Sequence, residues 1–296
     1  MFSCPRRRVA TLYLSVYSGE ILNFDLHCHS KVSDGMLTPH DLVARAAVNG
    51  VTTLSLTDHD EIGGLAEARD AAAAFGIDFI NGVEISISWR EVTIHIVGLN
   101  VDPANAVLLK GLDETRIGRI ARAKKMAAQL EMAGIRGSLE GAMAYAENPQ
   151  LISRTHFARF LVENRYAKDI SAVFRNYLVS GKPGYVAHEW ASVADAVSWI
   201  HAAGGVAVVA HPGRYKIKRP ALRAFFAEFR ELGGEGIEVI TGSHTAHQYG
   251  EFAILAREYG FLASRGSDFH GPGESHTELG RLPQLPDDLE PVWRRW

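Results

Sequence analysis

Histidine and acidic residues recur where apolar runs of this 296-residue chain give way to polar ones. His27 and His29 close the first run, and strand alternation would point both imidazoles to the same face. Asp34 lies in a turn just beyond them. Similar transitions further along carry His59, Glu84, His95, His211, Asp268 and His270. Imidazole and carboxylate groups bind divalent ions such as Zn, Mn or Fe, and this set is too large for one ion, so the pattern predicts a multi-metal site.

Each histidine taken alone is better explained as a hydrogen-bonded structural side chain. Repetition changes this interpretation, because six of the 13 histidines lie at or beside predicted strand ends. Independent coincidences at so many positions are a poor explanation, so a shared site is favoured. The histidines interpreted as structural or surface residues are His40, His188, His201, His247 and His276.

The elements that must position these residues follow a βα-alternating pattern. Strands are predicted at 21–26, 52–56, 79–87, 92–98, 206–210, 236–240 and 262–267. Helices are predicted at 39–48, 64–75, 193–203, 220–232 and 246–259. The third and fourth strands are separated only by residues 88–91, so an antiparallel hairpin is expected there. The fold class is therefore α/β with a mainly parallel sheet, whose strand ends open onto one common face.

Residues 104–190 show helical spacing without strand patterns, so a helical insertion is predicted between α/β segments at 23–103 and 191–296. This segment has 13 Lys and Arg against 8 Asp and Glu, whereas the whole chain has a net charge of -3. The insertion is thus the natural place to hold an anionic ligand. A solvated helix face is nevertheless the favoured interpretation for most of Arg116, Arg119, Arg122, Lys124 and Lys125.

Composition places the chain among globular proteins, since 47% of its residues are hydrophobic and 22% are charged. Cys4 and Cys28 are its only cysteines, which excludes a disulfide framework and leads us to expect a cytoplasmic protein. The apolar run after Arg8 is too short and too interrupted for a signal peptide. Residues 1–22 are therefore expected to be a disordered lead or the product of a misassigned start codon.

Four motifs carry a family resemblance: His27-Cys28-His29, Thr57-Asp58-His59, His211-Pro212 and Ser267-Asp268-Phe269-His270. In order and spacing they resemble the PHP (polymerase and histidinol phosphatase) family. The resemblance implies a distorted (β/α)7 barrel, with the helical segment as an insertion. It also implies a site for three divalent metal ions, with Mn2+ favoured and Zn2+ or Fe2+ as alternatives.

The resemblance further implies how the ligands are shared. A first ion would be held by His27, His29, Glu84 and Asp268. A second would be held by Glu84, which bridges the two ions, together with His95 and His211. The third would be held by Asp34, His59 and His270. Many family members have histidine where Asp34 stands, and the added negative charge bears on the identity of the third ion. Asp58 is expected to accept hydrogen bonds behind the ligands. The ligands expected to take part in catalysis are Asp34, His59, Glu84 and His270.

A closer resemblance is to family members with a helical insertion, which act as 3′,5′-nucleotide bisphosphate phosphatases or, in some members, as 5′→3′ exoribonucleases of the RNase AM kind. It rests on residues 152–157, 181–185 and 211–215. Arg154 is expected to bind phosphate, because a guanidinium matches phosphate oxygens. Further substrate-binding candidates are His156, Lys182, Arg214 and His244. A surface charge at a Gly-Pro turn is an equal alternative for Lys182, and capping of the next helix is one for His244.

These observations predict a phosphoesterase that removes the 3′-phosphate of 3′,5′-nucleotide bisphosphates, converting pAp to AMP and phosphate. The expected nucleophile is a hydroxide that bridges two of the ions. The main alternative is a 5′→3′ exoribonuclease on short 5′-phosphorylated RNA, although the net negative charge disfavours tight binding to long nucleic acid. No membrane and no protein partner is implied.

Three other functions are less favoured. A histidinol-phosphate phosphatase would not account for the basic insertion. A C–N amidohydrolase commonly uses a carbamylated lysine, and no lysine stands in or at the end of a predicted strand. A non-catalytic scaffold would be expected to have lost ligands, and none is missing.

Overall fold

The computed structural model describes residues 22–296, so the predicted lead lies outside the described residues except for Leu22. All seven predicted strands are present within this range. They are β1 Phe24–Asp25, β2 Thr53–Leu56, β3 Asp78–Trp89, β4 Val92–Leu99, β5 Val206–Val209, β6 Gly236–Thr241 and β7 Leu262–Gly266. Most ends differ from the predicted ones by a residue or two, and β1 is shorter because only two of its residues pair with β2.

The predicted helices of the α/β segments are also present. They are α1 Pro39–Val48, α2 Leu65–Phe75, α8 Val193–Ala202, α9 Arg219–Glu231 and α10 Ala246–Tyr259. Between β4 and β5 lie α3 Ala106–Arg116, α4 Arg119–Met132, α5 Ser138–Met143, α6 Arg154–Glu163 and α7 Ile170–Val173. Within residues 22–296, no helix combines the length and apolar character needed to cross a membrane.

The strands form one sheet in chain order, from β1 to β7. Backbone hydrogen bonds bring its two edges together, from Leu26 N to Arg265 O at 3.0 Å and from His29 N to Phe269 O at 2.9 Å. This confirms the expected α/β barrel. The predicted hairpin of β3 and β4 is antiparallel, and β4 is antiparallel to β5 as well. That second reversal follows directly, because a single reversed strand must run against both of its neighbours.

Apolar side chains join the strands to the outer helices. Phe225, Phe226 and Phe229 lie on one face of α9 and are completely buried against the sheet. Helix α10 begins with a capping box at Thr245 and ends at Gly260, whose φ of 64° suits glycine. These local signals agree with the apolar pattern, which explains why the helix bounds were predictable from the sequence.

The helical segment between β4 and β5 divides between two cores. Leu108 and Leu112 of α3 are buried in the main core of the barrel, where α3 packs against α8. Helices α4 to α7, hereafter the insertion helices, share a separate core that includes Leu130, Phe157 and Leu161. The predicted insertion covers residues 104–190. Its first helix, α3, packs with the barrel, so the boundaries of a separate insertion domain remain a prediction.

Candidate metal centre and active site

The nine predicted ligands converge at one end of the barrel. His27 and His29 follow β1, His59 follows β2, and His211 follows β5. Glu84 lies within β3 and His95 within β4. The remaining ligands, Asp34, Asp268 and His270, stand on loops after β1 and β7. The structure groups all nine into overlapping sets whose donor atoms lie within 4.8 Å of one another.

Four donor atoms form what we call the first cluster, from His27, His29, Glu84 and Asp268. The Nε2 atoms of His27 and His29 are 3.1 Å apart, and each is 3.3 to 3.5 Å from Glu84 Oε2 and from Asp268 Oδ1. Two ligand atoms bound at 2.1 Å around a tetrahedral ion are about 3.4 Å apart. The spacing therefore matches that of ligands around one shared ion.

Two more clusters adjoin the first. In the second cluster, Glu84 Oε1 lies 2.9 Å from both His95 Nδ1 and His211 Nε2. In the third cluster, Asp34 Oδ1 lies 3.4 Å from His270 Nε2 and 3.8 Å from His59 Nε2. Oε1 of Glu84 thus faces the second cluster, while its Oε2 faces the first and also lies 2.9 Å from Nδ1 of His59 in the third. This arrangement is compatible with the bridging role that the resemblance implied, which stays a prediction.

Metal binding requires ionised carboxyl groups and neutral imidazoles. The carboxyl groups are held ionised, whereas the histidines divide: against burial, nearby carboxylates raise the pKa of His27, His59 and His270, that of His59 to about 9. Burial alone would raise the pKa of Glu84, but the surrounding imidazoles, His95 foremost, hold it well below its usual range. For Asp268, the neighbouring Arg214 has the same effect against burial. Burial lowers the pKa of His29 to about 3, assisted by His270, and burial with Arg214 lowers that of His211 to about 3.

Several donor atoms at this site have no hydrogen-bond partner in the described part of the chain. Among them are three buried carboxylate oxygens, one each from Asp34, Glu84 and Asp268. A buried ionised oxygen without a partner is costly unless a cation binds it. These residues therefore fit divalent ions, both in the kind of donor and in the direction each donor faces.

The backbone around the centre is held in unusual conformations. His211 and Asp268 have φ values of 26° and 55°, and Asp60, next to His59, has one of 51°. Such conformations in non-glycine residues cost free energy and persist where the surroundings enforce them. Gly266 allows a close approach as well, because a Cβ there would lie 2.2 Å from that of His27.

Sequence reasoning missed Glu238, which lies in β6 and is 1% exposed. Its Oε1 is 2.7 Å from His27 Nδ1, and its Oε2 accepts a 2.6 Å hydrogen bond from His211 N. An acceptor at Nδ1 keeps the proton there and leaves His27 Nε2 free to bind a metal. The available signal was a lone carboxylate in the apolar strand Gly236–Thr241.

We predict that Glu238→Gln weakens cation binding by about 10- to 100-fold, because an amide cannot accept both hydrogen bonds. Isothermal calorimetry of the metal-stripped protein with Mn2+ measures this change. Glu235→Gln is the matched control, since Glu235 faces His201 at 3.3 Å, away from the nine ligands. Equal affinities for the Glu238→Gln variant and the wild type would contradict the assigned role.

Asp58 supports the loop that carries Asp34. It accepts hydrogen bonds from Ser30 N at 2.8 Å, Ser30 Oγ at 2.6 Å and Ser33 Oγ at 2.6 Å. Burial raises its pKa to about 6, although these hydrogen bonds oppose the shift. Asp58 therefore accepts hydrogen bonds behind the ligands, as expected, and it acts on a loop rather than on a histidine.

A cavity lined by arginines opens directly onto the metal centre. Asp34, His59, His95 and His270 line its floor, and the side chains of Phe174 and Trp190 form part of its wall. The arginines in its lining are Arg119, Arg122, Arg154 and Arg214. Two of the five predicted substrate-binding residues, Arg154 and Arg214, thus line the cavity, and its four arginines make it suited to an anion.

A solvated helix face was predicted for most of five cations, and this is wrong for Arg119 and Arg122 of α4 and for Arg116, whose side chain is 14% exposed. Arg119 and Arg122 are 5% and 9% exposed, and their guanidinium groups lie over the ring of Trp190. Lys124 and Lys125 are exposed, as predicted. Arg119 and Arg122 lie three residues apart on one helix face, so one turn of α4 faces the cavity. Helical spacing was the only sequence signal, and it could not tell which face was covered.

The other substrate-binding candidates lie elsewhere. His156 is buried at the start of α6, where its Nδ1 accepts a hydrogen bond from Ser153 N. His244 accepts one from Gly213 N at 2.9 Å and stacks on Phe252, so it supports the loop after His211. Lys182 is exposed and does not line the cavity. Roles in substrate binding for these three residues remain predictions that the structure does not favour.

Comparison with known proteins gives a consistent result. The PHP domain family model matches residues 25–203. The chain is 53% identical over 272 residues to a 3′,5′-nucleoside bisphosphate phosphatase of Chromobacterium violaceum, covering 92% of this chain and 95% of that protein. It is 42% identical over 275 residues to the 5′-3′ exoribonuclease Rnm of Escherichia coli, covering 92% and 93%.

Solved structures agree. A protein from Chromobacterium violaceum, described as an amidohydrolase with bound sulfate, has a TM-score of 0.90 at 53% identity and covers 92% of this chain and 95% of its own. A candidate metal-dependent phosphoesterase from Bifidobacterium adolescentis has a TM-score of 0.76 at 26% identity, covering 93% and 96%. The family model matches more than half of this chain, and the alignment with the phosphatase of Chromobacterium violaceum covers 92% of it. The chain therefore belongs to the PHP domain family, with clusters of His, Asp and Glu that can bind metal ions.

Proposed function

We propose that this protein is a metal-dependent phosphoesterase that removes the 3′-phosphate of 3′,5′-nucleotide bisphosphates, converting pAp to AMP and phosphate. The observation that carries the proposal is the direct opening of the nine-ligand centre into a cavity with four arginines. The relative of 53% identity, named as a 3′,5′-nucleoside bisphosphate phosphatase, supports the same assignment.

The proposed cofactors are three divalent ions, one for each cluster, with Mn2+ favoured and Zn2+ or Fe2+ as alternatives. Bound there, such ions would lower the pKa of water toward neutrality and offset negative charge on the phosphoryl oxygens. The nitrogen and oxygen donors of the clusters do not select one metal by themselves. Three ions are proposed because the donor atoms form three clusters, with Glu84 shared between the first and the second.

Arginines of the cavity would hold the second phosphate. Arg154 packs against the ring of Phe174, at 5.6 Å from its centroid, and has no ion pair within residues 22–296. Arg122 donates Nε–H to Val186 O at 3.1 Å, which leaves its terminal nitrogens toward the cavity. Burial and the nearby Arg154 and Arg119 lower the pKa of Arg122 to about 9. A phosphate would relieve this repulsion while its oxygens accept hydrogen bonds.

Arg214 would act closest to the reacting phosphate. Its Nη1 donates to Asp268 Oδ2 at 2.6 Å, while the side chain also lines the cavity. A guanidinium held in this way is oriented before substrate binds, so it costs little ordering when charge develops on the phosphoryl oxygens. Arg214 thus joins the first cluster to the arginine-lined wall.

A second candidate function is 5′→3′ exoribonuclease activity on short 5′-phosphorylated RNA, supported by the relatives of this name at 42% and 41% identity. The same pocket would then hold the terminal phosphate on the arginines, with the next phosphodiester at the metal centre. Amidohydrolase activity is not favoured, because Glu84 lies between two clusters, where such enzymes commonly use a carbamylated lysine, and no lysine lines the cavity in the described part of the chain. The cytoplasmic location remains a prediction.

A substrate panel tests the assignment. The protein with Mn2+ is given pAp, histidinol phosphate and a 5′-phosphorylated oligoribonucleotide, and released phosphate and nucleotides are separated by chromatography. We expect AMP and phosphate from pAp at the highest kcat/KM. Release of 5′-nucleotides from the oligoribonucleotide at a higher kcat/KM would favour the second candidate. Phosphate from histidinol phosphate alone would overturn both.

A further inference from the structure

The third cluster differs from the other two in how its ligands are supported. All three of its ligands, Asp34, His59 and His270, stand on loops after β1, β2 and β7, whereas each of the other clusters includes Glu84 from within β3. Residues of the barrel, by contrast, support the other clusters. Glu238 of β6 contacts His27, and the hydroxyl of Tyr215 accepts a hydrogen bond from His95 N at 2.9 Å. Asp58 holds the loop of Asp34 and Ser86 N of β3 donates to Asp60 beside His59, and further support for the third cluster comes from the helices between β4 and β5.

Helix α6 supplies that support for two of the loops through Arg159, which is 8% exposed. Its Nη2 donates to the carbonyl oxygen of Asp34 at 2.7 Å. Its Nε and Nη2 also bind the two carboxylate oxygens of Glu274 at 2.8 and 2.9 Å. Glu274 lies four residues beyond His270, in the loop where the hydroxyl of Ser275 accepts a hydrogen bond from His270 N. One guanidinium thus joins two ligand loops.

The start of α6 also contacts Asp34 through its side chain. Ser153, the N-cap residue, donates its hydroxyl to Asp34 Oδ2 at 3.0 Å. The other oxygen of Asp34 remains directed at His59 and His270. The hydrogen bond from Ser153 therefore fixes which carboxylate oxygen of Asp34 faces the third cluster.

Helix α4 supports the remaining loop. Arg119 donates to a carboxylate oxygen of Asp60, the residue after His59, and Arg116 at the end of α3 donates to the carbonyl oxygen of Asp60 at 2.7 Å. Asp60 also accepts a 2.7 Å hydrogen bond from Ser86 N. Asp60 has a left-handed backbone conformation, which costs free energy in a residue other than glycine, and these contacts hold it in place.

We infer that the insertion helices complete the third cation site, with Arg159 as a positioning residue that holds the loops of Asp34 and His270. This inference rests on the proposed binding of three cations. It gives the insertion a role beyond contacting the substrate. Loss of the Arg159 side chain should weaken the binding of one of the three cations. The other two should stay bound, since their ligands are held by the barrel.

Mn2+ binding to the metal-stripped full chain tests the inference, with equilibrium dialysis and elemental analysis to count bound ions. Arg159→Met keeps most of the side-chain volume and removes all the hydrogen-bond donors. We expect one cation to lose about 10- to 100-fold in affinity, with the other two changed by less than about threefold. Glu274→Gln, a milder variant, should weaken the same cation by a smaller factor.

Arg257→Met is the control, because Arg257 makes a similar two-bond contact with Asp288 away from the site, at 2.7 and 2.8 Å. It should bind all three cations as the wild type does. Three results would each overturn the inference. The first is equal weakening of the binding of all cations in the Glu274→Gln variant, and the second is wild-type binding in both Arg159→Met and Glu274→Gln. The third is a wild-type protein that binds fewer than three cations. Because no substrate is used, failure to hydrolyse pAp leaves this result unaffected.

Discussion

Glu84→Gln should lower kcat/KM for pAp by about 1,000-fold, the largest effect that we expect from a single isosteric substitution. Glu84 is completely buried, and its two oxygens face different clusters. An amide of the same shape has one oxygen and no charge, so it cannot serve two cations. A loss of about 4 kcal/mol of transition-state stabilisation corresponds to this factor.

Steady-state hydrolysis at saturating Mn2+ measures the effect, and circular dichroism checks that the variant folds. Glu278→Gln is the matched control, because Glu278 is paired with Arg45 at 2.5 Å away from the nine ligands. The control should retain activity within about threefold. A Glu84→Gln variant with more than a tenth of wild-type activity would show that Glu84 does not bridge two essential cations.

Arg154→Met should lower kcat/KM for pAp by about 100-fold, mainly through KM. Arg154 lies on the cavity wall without a carboxylate partner in the described chain, so its guanidinium is free to bind the 5′-phosphate. Removing one partner of a buried charged hydrogen bond typically costs 2–5 kcal/mol, and about 3 kcal/mol gives this factor. The same substitution should have little effect on 3′-AMP, which has no 5′-phosphate.

Comparing the two substrates separates phosphate recognition from general damage to the site. Lys182→Met is the control on the insertion side, because Lys182 is exposed and lies outside the cavity. It should change hydrolysis of pAp by less than about threefold. An equal loss of activity toward pAp and 3′-AMP in the Arg154→Met variant would contradict a role in binding the 5′-phosphate.

Much of the fold follows from local patterns in the sequence. Short apolar runs alternate with helical spacing, and capping residues such as Thr38 and Thr245 coincide with the starts of helices. The grouping of the nine predicted ligands was predictable because most of them follow an apolar run in a polar motif, whereas Glu84 and His95 lie within strands. These side chains can lie close together because the ends of neighbouring strands meet on one face of a barrel. The structure confirms the barrel.

The residues that sequence reasoning missed act across long separations. Glu238 contacts His27 from 211 residues away, and Arg159 reaches Asp34 from 125 residues away. Arg119 and Arg122 have the spacing of any surface helix, and only packing against Trp190 shows that they face inward. No local pattern encodes such contacts, because they depend on how the insertion helices lie on the barrel.

Restoring cations to metal-stripped protein tests most directly whether this centre hydrolyses phosphate esters. The protein is freed of metal with a chelator, and release of phosphate and AMP from pAp is followed as Mn2+ is added back. We expect no turnover without cations, and a rate that rises with occupancy of the clusters and is lost again on chelation. Full hydrolysis of pAp by protein shown to be free of metal would contradict this expectation.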